Sequence, residues 1–363
     1  MKVLYDHQTF AEQEYGGVSR YFYELMRDHA ATGEADFRLA LSFSNNAYIE
    51  GSPFAPHRHF FRGLRFRGKR RVLLALNRRT AIKFLKKGDY DVFHPTYYSP
   101  YFLEYCRKPF VLTVHDMIHE RFPEYFPPWD HTAEEKKLLC SRADRILAVS
   151  GRTKSDLVEL LGVPSEKITV VYHGSSMDSR KQSPVRVPGR YLLFVGKREA
   201  YKNFSLLAEA AAELMAKDRE LFLVCAGGGP LTAAETAELQ RLGLRERVVW
   251  TSVSDSVLAY LYSNALCFIF PSAYEGFGIP ILEAFSCACP VVLSDASCFP
   301  EVAGDAALYF SSGNKESLAA SLSRVVLERE LRESLKDRGA ARLREFSWGK
   351  CAAEVRKVYC ELA

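Results

Sequence analysis

The sequence predicts an α/β protein of two domains, each built on a parallel sheet. The chain has 363 residues, which exceeds one ordinary core and fits two domains of roughly 150 to 200 residues. Short apolar runs rich in β-branched and aromatic residues alternate with longer helical patterns, as they do in βαβ units. A polar stretch with two prolines, residues 178–189, interrupts this alternation and is typical of an interdomain linker.

The apolar runs place six strands in each predicted domain. The first domain, residues 1–177, has its strands at 1–4, 37–41, 92–94, 110–114, 145–149 and 168–172. A linker at 178–190 leads to the second domain, residues 191–345, with strands at 191–195, 221–226, 248–251, 267–270, 291–293 and 307–310. A final helix within 346–363 follows the last strand and could pack on either domain, including back on the first.

Composition excludes several classes of protein. Hydrophobic residues at 48% and charged residues at 26% are ordinary globular values, which argues against disorder, collagen and coiled coil. No run approaches about 18 uninterrupted apolar residues, and the first residues form a strand pattern unlike a signal peptide. Nine cysteines without framework spacing indicate reduced thiols, so a cytoplasmic location is expected. The cluster Cys287, Cys289 and Cys298 fits small buried residues better than zinc, and no metal site is predicted.

Four predicted strand ends carry unusual residues. They are Gly16–Gly17, His115–Asp116, Gly196–Lys197 and the glycine run at 226–230. In parallel α/β sheets, ligands bind outside the carboxyl ends of the strands, where loops lead into helices. We therefore expect these loops to face one cleft between the domains.

Two glutamates, Glu275 and Glu283, bracket a Gly-Phe-Gly turn and the start of an apolar helix. Pro280 suits the first helical position, because its missing N–H has no intrahelical partner there. The free N–H groups of such a helix end favour an anion, commonly phosphate. Carboxylates beside an anion site suggest a ligand with both hydroxyl and phosphate groups, such as a sugar nucleotide. A carboxylate that only stabilises the helix dipole is the alternative for Glu283.

Basic and glycine-rich loops support an anion site. Lys197 at a strand end and Lys202 near the next helix could meet a diphosphate from two sides without a metal, although loop lysines are usually only solvated. Gly16 and Gly17 precede an amphipathic helix and let backbone amides approach a phosphate, although a structural turn would also explain them.

Two histidines also follow predicted strands. His115 lies just beyond a buried strand, where an imidazole could hydrogen-bond a sugar hydroxyl or stabilise developing charge. His173 ends the last strand before the linker. A satisfied core histidine and a turn residue are the respective alternatives.

Extended motifs resemble glycosyltransferase family 4, the retaining GT-B enzymes with two glutamates separated by seven residues. The resemblance is carried by FPSAYEGFGIPILEAF at 270–285, CPVVLS at 289–294 and PEVAGDAALYF at 300–310. It continues through FVGK at 194–197, KN at 202–203, AGGGP at 226–230 and VSGRTKSDL at 149–157. The first domain resembles the family more loosely, at 16–17, 114–116 and 172–175.

The resemblance implies the GT-B fold, two Rossmann-like domains facing across a cleft, and a role for each matching residue. Glu275, His115 and Lys202 would act at the reacting centre, with Glu275 near the donor sugar and Lys202 on the diphosphate. Glu283 would bind the ribose. The other implied donor contacts are Gly16, Gly17, Lys197, Gly227, Gly276, Phe277, Gly278 and Ile279. The implied acceptor side comprises His115, Asp116, His173 and Arg20. The family often has arginine where Lys197 stands, so this contact loses the guanidinium fork.

The resemblance also implies transfer of an activated sugar with retention and without a bound metal or other cofactor. The leaving diphosphate would be stabilised by the two lysines and the helix N-terminal amides. The family's usual proposal is front-face attack, in which the leaving phosphate accepts the acceptor's proton. Because Glu283 is assigned to ribose, the two-carboxylate scheme of glycosidases does not apply.

A strongly basic segment, residues 57–87, contains twelve lysines and arginines and no acid. The whole chain has a net charge of only +5, so this charge is concentrated. Aromatic and aliphatic residues are interleaved with it, which suits an anionic membrane surface or a lipid-linked, phosphorylated acceptor. A solvated helix face is the alternative, and without a nucleic-acid motif no nucleic-acid partner is expected.

These features predict a glycosyltransferase that moves a hexose from a nucleotide-sugar donor to a lipid-linked glycan, lipopolysaccharide or exopolysaccharide. The stretch from 113 to 126, with Lys202 and Asn203, resembles mannosyltransferases of surface polysaccharide synthesis and suggests GDP-mannose. A UDP-sugar transferase, a GT-B epimerase or phosphorylase, and a non-catalytic membrane- or polyanion-binding protein are the alternatives. The expected place of action is the inner face of the cytoplasmic membrane.

Overall fold

The apolar runs of the sequence form twelve short parallel strands in the computed structural model, which describes residues 1–64, 66–198 and 200–363. The chain divides into two units. Unit 1 comprises Met1–His173 and Trp348–Ala363, and unit 2 comprises Gly174–Ser347. Residues 178–190, predicted as a linker, therefore lie within unit 2. Arg65, one of the basic residues of segment 57–87, lies outside the described residues.

Unit 1 contains two three-stranded parallel sheets. Their strands are β1 (Lys2–Tyr5), β2 (Asp36–Leu39), β3 (Val92–His94), β4 (Val111–Val114), β5 (Arg145–Ala148) and β6 (Ile168–Val170). The sheet orders are β2-β1-β3 and β4-β5-β6, and a bridge between Phe93 and Phe110 connects the two. Every residue of β3 and β4 is buried, which explains their nearly continuous apolar sequences.

The helices of unit 1 connect successive strands. They are α1 (Gln8–Glu12), α2 (Gly17–Thr32), α3 (Lys69–Lys87), α4 (Ile118–Arg121), α5 (Thr132–Arg142) and α6 (Gly151–Leu161). Gly16 and Gly17 were predicted in the loop after the first strand, but the five-residue helix α1 lies between β1 and these glycines. The glycines instead mark the start of α2.

Unit 2 contains one six-stranded parallel sheet, with the order β12-β11-β10-β7-β8-β9. Its strands are β7 (Tyr191–Val195), β8 (Phe222–Ala226), β9 (Val248–Thr251), β10 (Cys267–Phe270), β11 (Val291–Ser294) and β12 (Leu308–Phe310). The strand order reverses between β7 and β10. In doubly wound sheets, such a reversal opens a crevice at the carboxyl ends of the two strands.

Seven α-helices of unit 2 lie within the described part of the chain. They are α7 (Phe204–Lys217), α8 (Ala233–Arg241), α9 (Asp255–Asn264), α10 (Ile279–Ser286), α11 (Phe299–Ala303), α12 (Lys315–Leu327) and α13 (Arg329–Leu343). Side chains cap several of them: Thr232 and Glu235 form a capping box at α8, and Ser254 and Asn314 cap α9 and α12.

The last helix, α14 (Trp348–Cys360), belongs to unit 1 and packs on α2. Its buried Tyr359 hydroxyl lies 3.0 Å from the Tyr5 hydroxyl and 2.5 Å from His94 Nδ1. The last residues of the chain thus complete the core around β1 and β3. None of the helices in the described residues combines the length and apolar character needed to cross a membrane.

Candidate active site

The strand reversal in unit 2 places a lysine against a glutamate. Lys202 Nζ lies 2.5 Å from Glu275 Oε1, and the two side chains are 16% and 13% exposed. Ser272 Oγ donates to the same carboxylate oxygen at 2.9 Å. Lys202 ends the short 3-10 turn Ala200–Lys202 after β7, and Glu275 lies in the loop after β10. The predicted pair therefore meets at the edge where ligands bind in this architecture.

The Lys202 side chain is further held by aromatic rings. Its ammonium lies 5.3 Å from the centroid of Tyr201 and 5.4 Å from that of Phe270. The backbone N–H of Ala273 donates to the Tyr201 carbonyl at 2.8 Å, which ties the two loops together. Cation–π contacts favour a charged ammonium, so this position is built for a fixed positive charge.

Ser297 clamps the backbone of Glu275 from the loop after β11. Its Oγ donates to the Glu275 carbonyl at 2.7 Å and accepts from the Glu275 N–H at 3.2 Å. Ser297 has a φ of +58°, a left-handed conformation that costs a serine about 1 kcal/mol relative to glycine. The buried Ser294 hydroxyl also donates to the Ser272 carbonyl at 2.7 Å. Strain at Ser297 is thus retained together with two hydrogen bonds that fix Glu275.

The glycine run after β8 passes very close to the end of β7. A Cβ on Gly228 would lie 2.3 Å from the Gly196 carbonyl oxygen and 2.8 Å from Lys197 Cα, and Gly228 has a φ of +67°. Only glycine fits this position. Gly227 accepts at its carbonyl from the Trp250 indole N–H at 2.9 Å. The predicted donor residues Lys197 and Gly227 are therefore in adjacent loops.

Arg198, rather than Lys197, supports these loops. Its nearly buried guanidinium donates to Glu235 Oε1 at 2.8 Å and to the carbonyls of Gly229 and Pro230 at 2.8 and 3.0 Å. Lys197 is exposed. Arg198 thus makes its contacts within the protein, whereas the ammonium of Lys197 is the more accessible of the two positive charges.

Helix α10 begins at the predicted glycine turn. Gly278 precedes it with a φ of +87°, Ile279 is its first residue, and Pro280 is its second rather than its first. Gly276 lies in the same turn, and Phe277 is buried with its ring 5.9 Å from that of Phe346. All three residues 276–278 are buried, and the Phe277 ring is packed within the protein.

Glu283 lies in the second turn of α10, which weakens the helix-dipole explanation. Its Oε2 accepts from the buried Tyr262 hydroxyl at 3.3 Å. Burial and the neighbouring Glu283 carboxylate raise the pKa of Tyr262 well above its usual value. Tyr262 is thus a permanent donor that orients this carboxylate.

Packing at the start of α2, in unit 1, favours glycine at position 16. A Cβ on Gly16 would lie 2.3 Å from Gln13 Oε1, and that oxygen accepts from the Ser19 N–H at 3.2 Å. Gly17 is the first helical residue. Arg20 follows on α2, 3.7 Å from Glu24 Oε1 and over the Tyr48 ring at 5.0 Å. Because Gln13 Oε1 is the far end of a flexible side chain, this close approach favours glycine at position 16 without requiring it.

His115 follows β4 as predicted and is packed among rings. It lies 5.3 Å from Tyr21 and 6.3 Å from His173, measured between ring centroids. Its Nε2 is buried without a hydrogen-bond partner in the described residues. Burial lowers the pKa of His115 to about 4 and that of His173 well below its usual value. Both imidazoles are therefore neutral at physiological pH.

Asp116 anchors the following loop. Its carbonyl accepts from the fully buried Lys136 ammonium at 2.9 Å, and its Oδ1 accepts from the Ile118 N–H at 3.1 Å. Lys136 also donates to Glu120 at 2.9 Å. Asp116, which was predicted to contact the acceptor, thus already has a structural role.

Each unit brings together part of the predicted set. In unit 2, Lys202 contacts Glu275 directly, while the α10 turn leads to Glu283. In unit 1, His115 and His173 share Tyr21. The supporting residues Ser272, Ser297, Arg198 and Tyr262 were not predicted. Ser272 precedes Glu275 by three residues, so its position was a usable signal, whereas the other three depend on long-range contacts.

The basic segment 57–87 exposes both charge and apolar side chains. Within α3, the buried residues Leu73, Asn77, Ala81 and Leu85 repeat every fourth position, so its basic residues other than Lys69 lie off this row. Before and within α3, Phe61, Leu64, Phe66 and Val72 are 54%, 59%, 45% and 47% exposed. Exposed apolar groups beside concentrated positive charge form an amphipathic surface.

Comparison with known proteins matches both halves of the chain. The family model described as "Glycosyl transferases group 1" matches residues 176–342, and that described as "Glycosyltransferase Family 4" matches residues 15–178. A similar solved structure is sucrose-phosphate synthase from Thermosynechococcus elongatus, with a TM-score of 0.77, 20% identity, and coverage of 99% of this chain and 98% of that one. HepE of Anabaena, crystallised with UDP-glucose, has a TM-score of 0.75, 18% identity and full coverage of both chains. These likenesses establish the GT-B fold.

Relatives with higher identity extend the match to function. O-antigen chain mannosyltransferase B of Escherichia coli is 30% identical over 94% of this chain and 95% of its own length. The MMP alpha-(1->4)-mannosyltransferase of Mycolicibacterium hassiacum is 32% identical over 76% of this chain and 71% of its own. Together with the two family models, this similarity shows that the chain is a glycosyltransferase and belongs to glycosyltransferase family 4.

Proposed function

We propose that this enzyme transfers mannose from GDP-mannose, with retention, to a growing lipid-linked glycan or lipopolysaccharide. The observation that carries the proposal is the contact between Lys202 and Glu275 at the strand reversal of unit 2. An ammonium group and a carboxylate side by side match the two parts of the donor, its diphosphate and its sugar hydroxyls. The names of the two mannosyltransferase relatives support the choice of sugar.

In this mechanism Lys202 stabilises the departing diphosphate. An ammonium has three N–H donors, so it can hold Glu275 and phosphate oxygens at once. The first N–H groups of α10 face the same charge, and such preorganised donors stabilise a leaving group most strongly where water is excluded. The leaving phosphate oxygen then takes the proton from the attacking hydroxyl, and the new bond forms on the face that the phosphate leaves.

The carboxylates hold the donor rather than attack it. Glu275 accepts hydrogen bonds from the donor sugar, and its clamped backbone keeps the carboxylate in place. Glu283, oriented by Tyr262, accepts from the ribose. In unit 1, neutral His115 is suited to hydrogen-bond a hydroxyl without adding charge. A neutral imidazole can donate from one nitrogen and accept at the other.

We propose that the transfer needs no metal, because lysine and helix amides supply the positive charge. No group of three His, Cys, Asp or Glu side chains suited to a metal ion occurs in residues 1–64, 66–198 and 200–363. Activity after treatment with EDTA should equal that of untreated enzyme. Loss of activity that added Mg²⁺ or Mn²⁺ restores would contradict this part of the mechanism.

Donor choice can be tested by binding before the acceptor is known. A nucleotide that binds the folded protein raises its apparent melting temperature, so GDP, UDP and ADP should be compared at saturating concentration. GDP should give the largest shift, and the Lys202→Ala variant should lose much of it. A rise in melting temperature with UDP and none with GDP would indicate that the donor is a UDP-linked sugar rather than GDP-mannose.

Transfer itself should be measured with GDP-mannose and a membrane fraction that supplies the acceptor. The expected product is a mannosylated lipid-linked glycan whose new linkage keeps the α configuration of the donor. Incubation with the donor alone separates the epimerase alternative, since an epimerase would convert the sugar whereas a transferase would give at most slow hydrolysis. Retained cellular function in both Lys202→Ala and Glu275→Ala variants would favour a non-catalytic binding protein.

We further propose that segment 57–87 binds the anionic inner face of the cytoplasmic membrane. Each basic residue near such a surface adds about 1 kcal/mol of attraction, and the exposed apolar residues 61, 64, 66 and 72 add burial in the headgroup region. Binding to phosphatidylglycerol-containing vesicles should weaken with salt. Replacing Arg70, Arg71, Arg78 and Arg79 by glutamine should weaken it at least tenfold.

The matched control removes equal charge from exposed positions of unit 2, Lys217, Arg219, Arg241 and Arg245. This variant should bind vesicles nearly as well as the unchanged protein. If both variants lose binding equally, net charge rather than segment 57–87 governs membrane association.

A further inference from the structure

An exposed aromatic loop follows the predicted acceptor residues of unit 1. We define it as residues 122–130, between α4 and α5. Its Trp129 is 78% exposed and its Tyr125 is 47% exposed. Exposed aromatic side chains grouped in one loop commonly mark a binding surface.

Three rings of this loop, those of Phe122, Tyr125 and Phe126, are held in place. Phe126 stacks on His119 with centroids 3.8 Å apart, and Phe122 stacks on Tyr125 at 5.9 Å with an interplanar angle of 10°. The Phe126 N–H donates to the Pro123 carbonyl at 3.1 Å, within a 3-10 turn. A rigid aromatic surface binds a ligand at lower entropic cost than a mobile one.

The loop is also anchored to the end of β4. The buried Lys136 on α5 donates to the Asp116 carbonyl and to Glu120 on α4, each at 2.9 Å. The Asp130 N–H donates to the Pro127 carbonyl at 2.9 Å. Both sides of the loop are therefore tied to the segment that carries His115. That segment lies at the carboxyl edge of the sheet β4-β5-β6, where loops of parallel sheets bind ligands.

The charge around the loop is negative. Residues 119–135 contain five acids and one arginine. That arginine, Arg121, is paired with Asp156 and, at 3.0 Å, with Glu159. Burial raises the pKa of Glu135, and the carboxylates of Asp130, Glu12 and Glu134 also raise it, against the lowering effect of His131. Such a surface repels phosphate groups and anionic lipid headgroups.

Rings and carboxylates together match a neutral sugar chain. The C–H groups of a hexose face carry partial positive charge and can lie on the electron-rich face of an aromatic ring. Sugar hydroxyls can donate to the surrounding carboxylates, which are acceptors only. The basic segment 57–87 has the opposite charge and suits the anionic lipid part of an acceptor.

We propose that the aromatic loop, through Trp129 and Tyr125, binds the sugar residues of a neutral glycan acceptor. This subsite rests on the proposed transfer to a glycan and places the growing chain beside His115. It would select acceptors by their sugar residues rather than by phosphate groups.

The test measures acceptor binding apart from transfer. Ligand-observed NMR with α-linked mannotetraose as the probe should show saturation transfer from the unchanged protein and a loss of at least tenfold in affinity for Trp129→Ala. Trp129→Phe keeps a ring and should retain most of the binding. Leu327→Ala removes another exposed apolar side chain, 72% exposed in unit 2, and should bind like the unchanged protein.

Kinetics provide a second readout where transfer is measurable. Trp129→Ala should raise the KM for the glycan acceptor about tenfold, with less than a twofold change in kcat and an unchanged thermal shift with nucleotide. Lys202→Ala should show the reverse, with transfer lost and mannotetraose binding kept. If no transfer is found with any sugar nucleotide, the proposed function fails, and the NMR comparison still decides the subsite.

Two outcomes would overturn the proposal. Equal mannotetraose binding by Trp129→Ala and the unchanged protein would remove the loop from glycan recognition. Loss of binding to phosphatidylglycerol vesicles in Trp129→Ala, with mannotetraose binding intact, would assign the loop to the membrane instead. A matching circular dichroism spectrum and melting temperature for each variant exclude misfolding, which is not expected for a side chain that is mostly in solvent.

Discussion

The two units hold their candidate functional groups in different ionic states. All nine histidines of the chain lie in unit 1, and unit 2 has none. Burial lowers the pKa of His29 and His115 to about 4, and it also lowers the pKa values of His94 and His173 well below their usual value. Unit 2 instead presents Lys202 and Glu275 as partly exposed ions in contact.

This difference suits the two units to two different kinds of interaction with a substrate. In the proposed mechanism, a departing diphosphate is stabilised by charge that is already in place, which Lys202 of unit 2 would provide. A sugar hydroxyl needs a hydrogen-bond partner without an ionic charge, and the neutral imidazoles of unit 1 suit that task. The predictions below test whether fixed charge in unit 2 and neutrality in unit 1 are both required.

The largest effect should come from removing the fixed charge. Lys202→Ala should lower kcat/KM by at least about a hundredfold, comparable to the loss of one donor to a developing oxyanion. Lys197→Ala should have a smaller effect, because that side chain is exposed, whereas Lys202 is mostly buried against Glu275. Steady-state kinetics with the donor varied would measure both. A larger loss of kcat/KM in Lys197→Ala than in Lys202→Ala would indicate that Lys197 supplies the fixed charge.

Acid should destabilise unit 1 more than unit 2. Below pH 6.5 the unfolded chain takes up protons that buried His29 and His115 do not, so stability present above pH 6.5 is lost as the pH falls towards 4. A pKa of about 4 rather than 6.5 corresponds to a loss of up to about 3 kcal/mol per histidine.

The acid effect can be assigned to a unit by fluorescence. Trp348 lies in unit 1 and Trp250 in unit 2, so variants that keep only one of the chain's three tryptophans, with Trp129 also replaced, report on each unit. Between pH 8 and pH 5, the melting temperature should fall further for the Trp348 reporter. His29→Gln should reduce this fall, and an equal fall for both reporters would show that the buried histidines do not dominate.

A backbone contact near the donor loops gives the next effect. Gly228→Ala should destabilise unit 2 by roughly 2 to 3 kcal/mol, because its Cβ would overlap the Gly196 carbonyl. Gly229→Ala is the matched control: its φ is +82°, but a Cβ there meets no atom within 4 Å. The control should cost only about 1 kcal/mol. Urea unfolding of both variants, followed by nucleotide binding, would separate the overlap from the backbone strain.

The smallest effect should come from the clamp on Glu275. Ser297→Gly relieves the left-handed strain and should leave stability unchanged or raise it by about 0.5 kcal/mol, while kcat falls about tenfold. Ser297→Ala keeps the strain and loses the same hydrogen bonds. Nucleotide affinity should stay constant in both. If the Ser297 hydroxyl does not contribute to catalysis, kcat will be unchanged in Ser297→Gly.

The sequence predicted the strands well because the central strands are buried on both faces and appear as continuous apolar runs. Strands β3, β7, β9 and β10 agree with their predicted bounds, β1 and β2 differ by one or two residues at both ends, and the others differ by one or two residues at one end. Helix α1 was missed, since five residues carry too little periodicity to be recognised. Pro280 was placed one position early because Ile279 already has helical geometry.

The site was less predictable than the fold. The run around Glu275 and Lys202 identified the pair, and their direct contact follows from the adjacency of β7 and β10. Ser297 lies 22 residues from Glu275, and its clamp exists only because β11 pairs with β10. The positive φ of a serine has no local sequence signal. The donor base, the acceptor and the role of each site residue stay predictions.

The position of α14 has a consequence for the order in which the protein is made. Unit 2 is one continuous stretch, so its core can form as soon as Ser347 has left the ribosome. The core of unit 1 lacks Tyr359, which bonds to Tyr5 and His94, until the residues that follow unit 2 have been made. Unit 1, whose first strand precedes unit 2 in the sequence, therefore completes its core after unit 2. A nonsense mutation before Trp348 would leave the second half of the chain intact and the first half exposed to proteases.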